Sequence, residues 1–171
     1  MTKRQYQKLS KSWLGIIIIV SILGFNFYQE YKPASSSGRF EVTLDKCIDG
    51  DTAWFDIDGK RTKVRFLYID TPESTNQIEP YGKEASDYTK EQLSNANTIE
   101  LELNSDGDSE DKYGRLLAWV FVDGELLQEK LAREGLVEKF YDYGYSYKYK
   151  KEIISADRYA KNSHLGIYSG R

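Results

Sequence analysis

The chain has 171 residues, of which 24 are Lys or Arg, 27 are Asp or Glu, one is His and one is Cys. The single histidine excludes mechanisms that need two, and the single cysteine excludes an internal disulfide and multi-cysteine zinc sites. The first 35 residues carry five basic side chains and one acidic one. The rest therefore has a net charge of −7, which excludes nucleic-acid binding by bulk charge and leaves placed arginines or a metal ion to bind phosphates.

The N-terminus has the pattern of an export signal or a membrane anchor. Residues 1–12 predict a basic cytoplasmic n-region, and residues 13–28 form an apolar run of signal-peptide length, slightly short for a spanning helix. We expect an N-terminal hydrophobic helix that is either an uncleaved membrane anchor or a cleaved signal; a buried soluble helix is the third alternative. Residues 29–39 predict a linker. The basic n-region predicts that the domain at residues 40–171 is extracellular, either secreted or held at the cell surface.

The main domain is predicted to combine short strands with helices. Apolar alternation bounded by turn residues indicates strands, and apolar residues at helical spacing indicate helices. In chain order these are strands at 40–47, 52–57 and 60–69, a helix at 81–95, strands at 98–103 and 116–122, a helix at 125–134, and a last helix from about residue 149 that ends before Gly166. Five short antiparallel strands with a helix after the third predict an α+β domain, a five-stranded Greek-key barrel of the oligonucleotide-binding (OB) fold with three helices.

Three carboxylates fall at the ends of neighbouring strands. Asp51 precedes the second strand, and Asp70 and Glu73 follow the third. Each motif alone is also typical of a simple turn. Clustered carboxylates repel one another, so we expect a hard cation bound through oxygen ligands, with Asp51 and Asp70 as direct ligands and a backbone carbonyl near Thr71 as a further one. Zinc is disfavoured because it prefers nitrogen and sulfur.

Two arginines could supply phosphate contacts. Arg65 lies in an otherwise apolar strand, and Arg115 directly precedes the fifth strand. A guanidinium fork suits two phosphate oxygens at once, although a strand arginine can also be an ordinary surface residue. Arg65 and Asp70 have opposite parity along the strand, so a regular pleat would put them on opposite faces. A shared site requires the strand to bend or end between them.

These motifs together resemble the staphylococcal nuclease family. The matching strings run Ile48–Thr52, Val64–Glu73, Tyr81–Ser86, Asp111–Arg115 and Gly135–Val137, with weaker similarity continuing to Ser169. The resemblance covers about residues 40–169. It implies an OB-fold, Ca²⁺-dependent nuclease that cleaves DNA and RNA and leaves 3′-phosphates.

The resemblance also implies a role for each matching residue. Asp51, Asp70 and the Thr71 carbonyl correspond to calcium ligands, and Glu73 corresponds to the general base that activates water. Arg65 and Arg115 correspond to contacts with the phosphate and the transition state. The remaining counterparts are nucleotide-contacting Lys112, Tyr113, Tyr141 and Tyr143, and an acid behind the metal ligands, Asp49.

The sequence thus predicts an exported, monomeric phosphodiesterase whose partners are DNA and RNA, preferably single-stranded, and a membrane through its N-terminal segment. Residues 74–80 form a shorter loop than the family has, and the acidic body departs from the basic relatives. Two other functions remain open on sequence alone. One is a barrel at the cell surface that binds single strands without cutting them, and the other is a surface adhesion module.

Overall fold

The computed structural model describes residues 38–75 and 78–170. The predicted n-region, the hydrophobic helix and all but the end of the linker lie outside the described residues. Within the described ranges, no helix is both long and apolar enough to cross a bilayer.

The described residues form a β-barrel with helices packed against it. The strands are β1 (Arg39–Cys47), β2 (Thr52–Ile57), β3 (Lys60–Phe66), β4 (Ile69–Asp70), β5 (Ile99–Leu103), β6 (Leu116–Val122), β7 (Glu125–Leu126) and β8 (Lys139–Phe140). The helices are α1 (Gly82–Asn95), α2 (Leu127–Arg133) and α3 (Lys150–Asn162), followed by a 3-10 turn at Gly166–Tyr168.

Five strands close the barrel in the order β3-β2-β1-β5-β6, and β3 pairs with β6 to complete it. The predicted α+β OB-fold with three helices is confirmed. The expectation that every pairing is antiparallel is wrong, because β3 and β6 run parallel with Val64 opposite Leu116. This closing pair joins strands far apart in the sequence, so no turn between them could have revealed its direction.

Local chemistry explains the first hairpin. Asp58 and Gly59 both have positive φ, 52° and 80°, as a two-residue hairpin turn requires. Alternate residues of the two strands point into the barrel, where Phe55 and Val64 are fully buried. The outward-facing positions of these strands include the exposed Asp56 and Arg61.

The second helix begins later than its sequence predicts. Residues 125–126 form β7, which pairs with the end of β6, and α2 starts only at Leu127. The buried Gln128 secures this helix to β6. Its amide accepts a hydrogen bond from the Val120 N–H at 3.1 Å and donates one to the Ala118 carbonyl at 3.0 Å.

The predicted third strand, 60–69, is wrong as a single element. It ends at Phe66, turns through Leu67 and Tyr68, and resumes as β4. Tyr68 has a φ of 74°, a costly conformation for a bulky residue. Its ring packs 4.9 Å from that of Tyr147, measured between centroids, and its carbonyl accepts a hydrogen bond from the Tyr141 N–H at 2.8 Å. These contacts stabilise the bend, which turns Asp70 back toward β3.

A buried carboxylate joins the barrel to the segment that leads into α3. Glu102 in β5 accepts hydrogen bonds from Lys148 and from the Tyr149 hydroxyl, the latter at 2.7 Å, and pairs with Arg39. Burial alone would raise the pKa of Glu102, but these donors outweigh it and lower that pKa below its ordinary value.

We expect Glu102→Gln to lower the free energy of unfolding at pH 7, because it removes the charge that these donors stabilise. A carboxyl whose pKa is lowered by folding contributes stability above its unfolded pKa and loses it as pH falls through its folded pKa. The deficit of the variant should therefore shrink in acid. Urea unfolding of the wild type and the variant between neutral and acid pH measures this difference in the free energy of unfolding. A difference that does not change with pH would contradict the lowered pKa of Glu102.

Candidate active site

The site is organised around one guanidinium. Arg65 contacts the Asp51 carboxylate through Nη1 and the Asp70 carboxylate through Nη2, the latter at 2.5 Å. Nη2 also donates to the Ile69 carbonyl at 3.1 Å. The bend at Leu67–Tyr68 removes the parity conflict noted in the sequence, because Asp70 approaches Arg65 from a separate short strand. The predicted association of Asp51, Asp70 and Arg65 is thus present in the structure.

Asp51 is held rigidly within the fold. It is 2% exposed, and its Oδ2 accepts a hydrogen bond from the Thr71 N–H at 2.8 Å. Its Oδ1 accepts one from the Thr52 hydroxyl at 3.0 Å. Sequence reasoning gave neither Thr52 nor the Thr71 N–H a part in the site. The adjacency of a hydroxyl residue to Asp51 was the one available signal.

Asp49 lies behind this group. Its Oδ1 accepts a hydrogen bond from the Asp51 N–H at 3.2 Å. Burial raises the pKa of Asp49, while the nearby charges of Arg65, Arg115 and Lys63 oppose the rise.

Arg115 is placed by a compact turn before β6. The Asp111 carboxylate accepts two hydrogen bonds from Arg115, one from its backbone N–H at 3.0 Å and one from its Nε–H at 2.6 Å. Although burial alone would raise the pKa of Asp111, these bonds lower it below its ordinary value. Leu117, two residues after Arg115, is the register partner of Arg65. Because alternate residues of a strand share a face, Arg115 lies on the face of the barrel that carries Arg65. The sequence motif contains Asp111, but only its spacing to Arg115 could have indicated this anchoring role.

Exposed tyrosines adjoin the acid pair. The Tyr141 hydroxyl donates to Asp70 at 3.1 Å, and the Tyr141 ring stacks on that of Tyr143 at 6.1 Å with an angle of 10° between the planes. Tyr143 is 70% exposed. Stacked rings with an open face are suited to binding nucleobases.

The loop that carries Lys112 and Tyr113 is also exposed. Tyr113 is 71% exposed, with Lys112 Nζ 5.0 Å from its ring centroid and the Arg115 Cζ at 5.5 Å. The same long connection docks onto the tyrosine segment, because the Ser146 N–H donates to Asp106 at 2.9 Å. This bond ties together the two loops that carry the predicted nucleotide contacts.

Glu73 lies two residues beyond Thr71, and its side chain is exposed. The Glu79 carboxylate holds the backbone of Glu73 by accepting a hydrogen bond from its N–H at 2.9 Å. The first residue of α1, Gly82, lies directly against the Glu73 carbonyl. The bare glycine is therefore what lets the chain pass this close to Glu73.

Asp51 and Asp70, the two carboxylates predicted as direct ligands, lie together on Arg65. In the described part of the chain, no three His, Cys, Asp or Glu side chains are grouped closely enough to hold a metal ion, so Glu73 does not join these two in a cluster of three carboxylates. The chemistry of this pair fits a hard cation. Both carboxylates already converge on one positive group, the Arg65 guanidinium, and the atoms that would bind the ion, including the Thr71 carbonyl, are oxygens. Asp51, Asp70 and Thr71 are the residues that would hold the ion.

An OB barrel that combines an acid pair, two anchored arginines and exposed aromatic rings has the features expected of an enzyme that acts on phosphodiesters. Comparison with known proteins agrees. The family model described as staphylococcal nuclease homologue matches residues 63–170. The chain belongs to the staphylococcal nuclease family and is a nuclease, a hydrolase of phosphodiester bonds.

Individual relatives are similar over long stretches. The thermonuclease of Staphylococcus hyicus is 38% identical over 94% of this chain and 99% of its own length. The thermonuclease of Staphylococcus intermedius is 36% identical over 95% of this chain and 98% of its own. The endonuclease YncB of Bacillus subtilis is 44% identical over 75% of this chain and 61% of its own length.

We expect Gly82→Ala to impair both folding and turnover. A Cβ at residue 82 would lie 2.0 Å from the Glu73 carbonyl oxygen, so the backbone that carries Glu73 must shift. Gly170→Ala is the matched control, because nothing lies within 4 Å of a Cβ there. Thermal unfolding and nuclease assays of both variants test this. A Gly82→Ala protein with the stability and turnover of the control would contradict the close contact.

Proposed function

We propose that the chain is an exported, Ca²⁺-dependent nuclease that hydrolyses DNA and RNA, prefers single strands and leaves 3′-phosphate products. The observation that supports this most strongly is the Arg65 guanidinium held between Asp51 and Asp70. That group combines oxygen ligands suited to a hard cation with a donor suited to a phosphate.

The arginines can bind the scissile phosphate. A guanidinium has five N–H donors. The contacts with Asp51, Asp70 and the Ile69 carbonyl use three of those on Arg65, so two can face a substrate oxygen. Asp111 bonds Arg115 through Nε, so its terminal nitrogens can do the same. Donors held in advance favour the charge that develops on the phosphoryl oxygens over the ground state.

Glu73 is suited to be the general base. Its carboxylate is exposed on a backbone fixed by Glu79 and Gly82, so water can reach it. In the proposed reaction Glu73 takes a proton from the attacking water, whose oxygen bonds to phosphorus. The P–O5′ bond breaks, the 5′-oxygen acquires a proton from solvent, and the phosphate stays on the 3′ side.

Calcium would complete this site. When bound by Asp51, Asp70 and the Thr71 carbonyl, it would offset the negative charge of the phosphoryl group.

The preference for single strands rests on the tyrosines. The open faces of Tyr141 and Tyr143, with Lys112 and Tyr113 on the adjoining loop, can stack on bases that are not paired. One chain carries every residue assigned here, so we propose that the enzyme acts as a monomer.

Export rests on the N-terminal segment. The basic residues 1–12 followed by the apolar residues 13–28 support a membrane anchor or a cleaved signal, with the nuclease domain outside the cell. Cell fractionation with mass measurement distinguishes the two: an anchored chain is intact and in the membrane, whereas a secreted one lacks its N-terminus. An intact chain in the cytoplasm would contradict both.

We expect Glu73→Gln to lower turnover about 10²–10⁴-fold, since the amide cannot take the proton from water. Stability should be unchanged because the side chain is exposed. The assay measures cleavage of single-stranded DNA with calcium, and Glu84→Gln, an exposed acid on α1, is the control. Equal turnover in both variants would remove Glu73 from catalysis and favour a binding module.

We expect calcium to raise the melting temperature of the wild type, because it binds the folded state. Asp70→Ala should abolish this rise. We prefer Asp70 to the buried Asp51, whose loss would disturb the fold itself. Asp106→Ala, in the exposed acidic loop, is the control and should keep the rise. If calcium still stabilises Asp70→Ala but not Asp106→Ala, the ion is held by the loop instead.

A further inference from the structure

The outer face of β3 carries basic residues beyond the catalytic site. Arg61, Lys63 and Arg65 occupy alternate positions, so they lie on one face, about 6.6 Å apart. Val64 and Phe66, between and beyond them, are buried in the barrel. The positive charge of the catalytic Arg65 thus continues along the strand at a spacing close to that of phosphates in an extended single strand.

An aromatic ring lies within this row of charges. Trp54 in β2 pairs with Lys63 in β3 on one side and with Lys46 in β1 on the other. The guanidinium carbon of Arg61 lies 4.3 Å from the centroid of the Trp54 ring. We call these four residues, Lys46, Trp54, Arg61 and Lys63, the basic strip.

The charge of the basic strip contrasts with the acidic body. Neither Lys46 nor Lys63 takes part in any of the ion pairs found in the described part of the chain. Arg61 pairs with Asp45 at 2.7 Å, an acid at the irregularity where the β1–β2 register shifts. Arg61 also lies opposite the exposed Asp56 in the β2–β3 register, so contacts of the basic strip with an anion would come mainly from Lys46 and Lys63.

The basic strip is continuous with the catalytic site. Lys63 is two residues from Arg65 on the same strand face. A polymer bound at Arg65 would have its next phosphates at Lys63 and Arg61. Trp54 could stack on a base, which a paired duplex would not offer.

We propose that the basic strip is a second nucleic-acid-binding site, which holds the part of a long single strand that extends beyond the scissile bond. It raises the affinity of the nuclease for long substrates without changing the chemical step. The proposal rests on the nuclease activity and on the single-strand preference proposed above.

The test is the double variant Lys46→Gln/Lys63→Gln. We expect a higher KM for long single-stranded DNA, an unchanged kcat, and unchanged kinetics on a dinucleotide that fills only the catalytic site. The slope of log KM against log salt should fall by about 1.4, since each lost contact with a single strand contributes about 0.7. Lys151→Gln/Lys161→Gln, on exposed positions of α3, is the control of equal charge.

Two kinetic outcomes would overturn the proposal. One is a KM for long DNA and a salt slope equal to those of the control. The other is an equal rise in KM for the dinucleotide, which would place the effect within the catalytic site.

Direct binding separates this proposal from the nuclease assignment. Long oligo-dT should quench tryptophan fluorescence in the wild type, and Trp54→Phe should remove most of the quenching. If the wild type binds oligo-dT but does not cut it, and the lysine variant does not bind it, the basic strip is supported and the nuclease function is refuted. Polyphosphate, which has no bases, should compete weakly; if it binds as tightly as oligo-dT, the strip is only a general anion site and the proposal fails.

Discussion

The Arg65 guanidinium between Asp51 and Asp70 is the interaction on which the rest of the site depends. Two carboxylates this close would repel one another without a positive partner. Arg65 supplies that partner from the neighbouring strand, and the bend at Tyr68 brings Asp70 within its reach. The fold therefore presents an acid pair together with a hydrogen-bond donor for phosphate, a combination suited to phosphodiester hydrolysis.

Much of this could be predicted from local sequence. The Asp58-Gly59 turn, the alternating strands and the helical spacing of α1 gave the elements of the barrel, and the paired acid motifs gave the location of the site. The bend at Tyr68 could not be predicted, because residues 64–69 are mostly apolar and resemble one strand. The tyrosine and backbone contacts that stabilise its positive φ come from a segment about 70 residues away.

Charge is distributed to serve local binding. The domain is acidic as a whole, yet Arg65 and Arg115 are fixed by neighbouring carboxylates, and Lys46 and Lys63 continue the positive face along the strands. Such an arrangement binds a polyanion at chosen points and not across the entire surface. Long-range attraction is weak in this design, so affinity depends on close contacts with phosphates and bases.

The most direct test of the central claim is a crystal structure of the protein with calcium and a nucleoside 3′,5′-bisphosphate. The account predicts one ion with oxygens of both Asp51 and Asp70 at about 2.3–2.6 Å, and a phosphate in contact with Arg65. An ion bound elsewhere on the domain, or a phosphate that avoids Arg65, would contradict it.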